Sequence, residues 1–106
     1  MSQREIIMGV LVDDNTTYTF VEVCQNCHLT EKVLLDMIEH GLFDNVTPPF
    51  QHLQFDQDML TRVRTAQRLY CDLDLNYSGV ILALELLDEM SKMRDELDIL
   101  KRNVKF

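Results

Sequence analysis

Positive charge is scarce in this chain. Ten Lys and Arg stand against eighteen Asp and Glu in 106 residues, a formal net charge of −8. The sequence pI is about 4.6. A protein that lives mainly on phosphate contacts needs clustered basic residues, so this balance argues against nucleic acid as the main ligand. It fits a basic partner instead. Long apolar runs are also missing. The longest early one, IIMGVLV at 6–12, has seven residues, whereas a membrane span needs about 20. One Arg precedes that run and an acidic pair comes after it where a cleavage site would stand, so no signal peptide is read and the expected compartment is the cytoplasm. Glycine is sparse, and its three copies are far apart, which excludes a glycine-rich phosphate loop. Cysteine is limited to Cys24, Cys27 and Cys71, an odd number that suits a reducing cytosol better than a disulfide framework.

The residues that are present read as one domain of ordinary globular composition, 46% apolar and 26% charged. Residues 5–12 are β-branched and apolar, so 1–17 is read as an N-terminal strand or extension that ends in the turn chemistry of DDNTT. TFVE at 19–22 matches a capping box and predicts a helix from Phe20 to about Asn26. Thr30 caps a second helix over about 31–40, with Leu34, Leu35, Ile38 and Leu42 on one face and Lys32, Asp36 and Glu39 on the other. Gly41 fits a left-handed stop. The segment 44–55 holds both prolines and has no helical period, and Val46, Phe50, Leu53 and Phe55 suit a small hairpin or wing. Asp56 caps a third helix over about 57–72, with Met59, Leu60, Val63, Ala66, Leu69 and Leu73 facing inward and Arg62, Arg64 and Arg68 decorating it.

A long final helix is predicted over about 78–104, within a 76–106 segment that comes after a core at 18–75. Its Leu86, Met90, Met93, Leu97, Leu100 and Val104 are spaced 4, 3, 4, 3, 4, an a/d heptad seam. Such a helix would extend about 40 Å, more than so small a globule can cover. The first half of the seam is expected to pack on the chain's own helices, and the end, MRDELDILKRNVKF, on a second copy in a homodimer.

Catalysis finds little support. No nucleophile and base share a local spacing, His40 and His52 are isolated, and no carboxylate pair stands out from a solvated acidic surface. CQNCH at 24–28 has the form of a c-type haem attachment site. Cys24, Cys27 and His28 would alternatively offer three zinc ligands, with Cys71 a distant fourth. The two thiols also sit i, i+3 on the first helix, where small buried hydrophobes are wanted. Packing is the favoured reading, and no cofactor or metal is expected.

Two helices joined by a tight turn, a wing and two further helices make a layout that resembles the MerR-like winged helix-turn-helix. The expected fold class is therefore mainly α, with a small hairpin or wing and a long C-terminal helix of heptad character. In that family the second helix and wing contact DNA, typically through arginines. Aligned on EHGLF, this chain has Leu35 where the pattern has Arg, Asp36 where Tyr is common, and Leu53 in place of the wing arginine. Each missing arginine removes a DNA contact, so DNA binding is expected to be weak or absent. RLYCDLDLNYSGVILALELLDEM at 68–90, with TFVEVC at 19–24, closely resembles the CbpM family of chaperone modulators. The resemblance implies a non-catalytic protein, typically dimeric, that binds the J-domain of a DnaJ/CbpA-like co-chaperone and hinders its engagement with a DnaK-type chaperone. The candidate contacts are Asp36 and Glu39 on the second helix, Glu31 at its start and Asp44 just after it. A second candidate surface is Asp72, Asp74 and Tyr77, with Leu35 and Leu53 adding apolar contact if exposed. A MerR-like transcription regulator is the alternative, and Arg62, Arg64, Arg68 and the basic tail residues would have to supply its basic face.

Overall fold

The computed structural model describes residues 16–103, so the strand predicted over 5–12 and the seam residue Val104 lie outside the described residues. Four helices succeed one another: α1 (Phe20–Cys27), α2 (Glu31–Glu39), α3 (Gln57–Asp72) and α4 (Tyr77–Asn103). A helix begins with backbone N–H groups that have no partner inside it, and each of these begins where a side chain can accept from one. Thr19 accepts from the Glu22 N–H at 3.2 Å, and the Glu22 carboxylate accepts from the Thr19 N–H at 2.8 Å, closing the capping box. Thr30 accepts from Val33 N–H at 3.2 Å, Asp56 from Met59 N–H at 2.8 Å, and Asn76 from Gly79 N–H at 2.7 Å.

The turn between α1 and α2 passes through His28 in the left-handed region, φ 55°. The Leu29 N–H then donates to Cys24 O at 3.0 Å, which brings Leu29 back into the core. Gly41, at φ +102°, makes the corresponding turn after α2. Leu42 N–H donates to Met37 O at 3.1 Å, and its side chain is fully buried.

The expected hairpin wing takes a different form. Among the described residues, 44–55 form no strand ladder; Phe50–His52 make one 3-10 turn, and Phe55 makes an isolated antiparallel bridge with Tyr18. Pro48 and Pro49 carry no N–H, so this segment cannot supply a regular ladder. Its apolar residues are used for packing instead. Val46, Phe50 and Leu53 lie against the core, and Phe55 is fully buried, with its ring 6.4 Å from that of Phe20 and 5.8 Å from that of Phe43.

Helical periodicity identifies most of the core, with three exceptions. On α2, Met37 is fully buried beside Leu34 and Ile38, whereas Leu35 is only half-buried. Leu73 does not face inward: α3 ends at Asp72, the chain turns away, and Leu73 is 62% exposed. α4 is anchored by Val80, Ile81 and Leu84, ahead of most of the seam, so Leu86 and Met90 do not pack on the chain's own helices. Every described residue of α4 from Glu85 onward is exposed. None of the helices among the described residues is long and apolar enough to cross a membrane.

Arg62 ties three parts together. Its Nε donates to Leu42 O at 2.7 Å, and its Nη1 donates to the Asp88 carboxylate at 2.9 Å. The Asp88 side chain is 64% exposed, so the ion pair itself contributes little. The carbonyl of Leu42 leaves a buried residue and loses its side-chain donor when Arg62 is removed. Arg62→Met should therefore cost about 1–2 kcal/mol in denaturant unfolding, and Asp88→Asn less than about 0.5 kcal/mol. Equal losses in the two variants would show that the carbonyl contact is not the main one.

Candidate functional site

The C-terminal end of α2 meets the start of α4, and most of the polar side chains of interest meet there. Lys32 Nζ pairs with Asp36 Oδ2 at 2.9 Å across one turn of α2. Bonding from Lys32 is the largest influence on Asp36 and holds its carboxyl below the ordinary carboxylate range. One turn on, His40 Nδ1 lies 2.7 Å from Asp36 O, and its ring lies 5.2 Å from that of Tyr77, tilted by 45°. Tyr77 in turn stacks on Tyr70, with centroids 5.4 Å apart and planes 8° from parallel. Partial burial pushes the Tyr77 phenol up to about 12, helped by the Tyr70 hydroxyl and then by the Asp36 carboxylate, which favours the neutral, donating phenol.

Two surfaces that are separate in the sequence are thereby joined. Asp36 and Tyr77, 41 positions apart, share one cluster, and exposed Glu39 lies on the same end of α2. Asp74 sits just before α4 with a left-handed backbone, φ 54°, and its side chain borders an open cavity of about 600 Å³ next to both tyrosines. Other sequence candidates lie elsewhere. Glu31 is at the opposite end of α2, near Cys24. Asp44 borders a second hollow of about 440 Å³ together with Arg62 and Asp88. Asp72 is the exposed last residue of α3. Leu35 and Leu53 are half-buried against the core rather than displayed.

Tyr70 and His40 are the residues that sequence reasoning missed. Tyr70 lies on α3, and the break at 73–76 separates it from Tyr77, so no helical period relates the two. His40 does carry a local signal, four residues after Asp36, a spacing that places both on one side of α2.

The second distinctive surface is the exposed half of α4. Leu86, Met90, Met93, Leu97 and Leu100 are all at least half exposed along one seam. A stripe of this size on a helix that buries none of its described residues here is unusual for a lone globule.

CQNCH serves packing. Cys24 and Cys27 are buried core residues. Burial pushes both thiols up from their ordinary value, and at Cys27 the nearby Arg64 opposes that shift. Neutral thiols are poor nucleophiles and poor metal ligands. His28 points away as an exposed helix cap, and no group of three potential ligands is assembled among the described residues. Thiol titration of the native protein at neutral pH should therefore show rapid reaction of exposed Cys71 alone, with Cys24 and Cys27 reacting only after denaturation. Rapid reaction of all three in the native state would contradict this burial.

Comparison with known proteins agrees with this architecture. The family described as MerR HTH family regulatory protein matches residues 18–102. The chaperone modulatory protein CbpM of Coxiella burnetii (strain Dugway 5J108-111) is 29% identical over 99 residues, covering 93% of each chain. Its namesake in Pseudomonas putida (strain W619) is 32% identical over 82 residues, 77% of this chain and 81% of the relative, and that of strain GB-1 is 30% identical over the same shares. A MerR-type helix-turn-helix and relatives of this similarity over most of their length place the chain in the CbpM family.

Proposed function

We propose that this protein is a non-catalytic chaperone modulator that binds the J-domain of a DnaJ/CbpA-like co-chaperone and hinders its engagement with a DnaK-type chaperone. The observation that carries this reading is the charge of the helix-turn-helix. α2 occupies the place of the DNA-reading helix, yet Glu31, Asp36 and Glu39 outnumber its one lysine, Lys32. Leu35, aligned where an arginine would read DNA, is half-buried. A surface of this sign repels phosphate and steers towards a basic protein helix. The joined cluster of Asp36, Glu39, Asp74 and Tyr77 is the favoured contact region. Glu31, Asp44 and Asp72 form an outer set that raises encounter rates more than it holds the complex. The name that the relatives carry, chaperone modulatory protein, supports the same reading.

Titration calorimetry with the cognate J-domain tests it directly. Glu39→Lys alone, and Asp36→Lys with Glu39→Lys, should weaken binding about tenfold or more, with the stronger loss at low ionic strength. The single variant matters because Asp36 also pairs with Lys32 within α2. Undiminished affinity in both variants would exclude the α2 surface. A DNA duplex shifted by the wild type at physiological salt would favour the transcription-regulator reading.

The proposed active form is a homodimer joined along the α4 seam. Leu86, Met90, Met93, Leu97 and Leu100 would pair with those of a second copy, with Val104 continuing the heptad. Leu97→Glu with Leu100→Glu should convert the dimer to monomer in sedimentation equilibrium while leaving the helical core folded. A monomeric wild type at micromolar concentration would remove this part of the proposal.

A further inference from the structure

We infer that the cavity between the end of α3 and the start of α4 is a socket for an arginine side chain of the partner's basic helix. The identity of that helix rests on the reading given above; the chemistry of the socket rests on the cavity. Its lining is Tyr70, Cys71, Asp74, Leu75, Asn76 and Tyr77, and its volume is about 600 Å³. Three features of that lining favour a planar cation.

The first is the near-parallel pair of tyrosines, Tyr70 and Tyr77. Aromatic rings present negative faces and attract cations, and a flat guanidinium can lie along a ring while its N–H groups reach outward. A lysine ammonium is a point charge and cannot stack in this way. The second feature is Asp74. It is exposed, and it takes no ion pair or hydrogen bond from another described side chain. Its carboxylate is thus available for the fork of donors that arginine offers. The third feature is the C-terminal end of α3, a 16-residue helix with no basic residue in its last turn. The partial negative charge of its final carbonyls has no cation from α3 itself to balance it.

Other occupants fit less well. An anion would face the Asp74 carboxylate and the carbonyl end of α3, and an apolar side chain would strip water from Asp74 without replacing its hydrogen bonds. A phenol is neutral at physiological pH, and burial holds Tyr77 further in that form, so it adds no charge to the socket.

The socket can be probed without any co-chaperone. Alanine-rich helical peptides carrying two arginines, two lysines or two glutamates would be titrated into the full chain while the Tyr70 and Tyr77 ring resonances are monitored by NMR. The arginine peptide should shift both rings saturably and bind about three- to tenfold more tightly than the lysine peptide, and the glutamate peptide should leave them unmoved. Tyr70→Leu and Asp74→Asn, each checked for native circular dichroism, should each weaken the arginine peptide about threefold or more. Rings that do not move, rings that respond equally to glutamate, or an affinity that ignores both substitutions would overturn the socket.

The same variants are then titrated with the cognate J-domain. If the J-domain binds wild type and Tyr70→Leu equally, the socket is not the anchor for that helix, although the proposed function stands. If the J-domain fails to bind wild type while the arginine peptide moves the rings, the proposed function falls and the socket remains as an arginine site for another basic protein. Parallel loss of peptide and J-domain affinity supports both.

Discussion

Burial of the Phe55 side chain is the constraint on which the rest of the arrangement depends. Its ring touches Phe20 of α1 and Phe43 of the segment after α2. Its backbone exchanges two hydrogen bonds with Tyr18, at 2.8 and 2.9 Å, just before α1. The next residue, Asp56, caps α3. One residue thus fixes where the chain enters α1, where it leaves α2 and where α3 starts. α3 and α2 then supply the surface on which Val80, Ile81 and Leu84 seat the long helix. An aromatic side chain buried on all sides is among the most costly to truncate, about 3–5 kcal/mol for Phe→Ala. In a domain of this size that is a large share of the total stability.

Local chemistry made much of this legible in advance. Thr19, Thr30 and Asp56 are caps by residue type and by the helical pattern that comes next, and the helices start immediately after each. The third helix spans 57–72 as its apolar period implies, and the last runs the length that the heptad spacing implies. The parts that were not legible depend on contacts between distant residues. Phe55 lies in a proline-containing stretch without a period, so nothing local marks it as the most enclosed aromatic. Met37 and Leu35 are both apolar at nearby positions of α2, and only tertiary packing, by α1, α4 and the 3-10 turn, decides which is enclosed. Leu73 continues the apolar period of α3 in the sequence, yet the helix has already ended before it.

The candidate site shows the same division. The acids and Tyr77 could be named one by one, but their assembly depends on a contact between the end of α2 and the start of α4. Asp36 is the joint of that assembly. It pairs with Lys32 and supports the Tyr77 phenol, so it is partly tied to the fold, whereas Glu39 and Asp74 remain exposed. A helix-turn-helix scaffold has thus kept its packing residues while its outward face carries the opposite charge from a DNA reader. Packing and outward charge are set by different positions on the same helix, which allows one to change without the other.

The unsupported half of α4 has a consequence of another kind. From Glu85 onward every described residue of the helix is exposed, and the solvent-exposed Asp88–Arg62 ion pair adds little, so packing on the globule contributes little to this half. In the proposed homodimer its helicity would rise with coverage of the seam, so the amount of protein present would become a structural variable alongside temperature and pH. Dilution would then loosen this arm first and leave the small globule at its base intact.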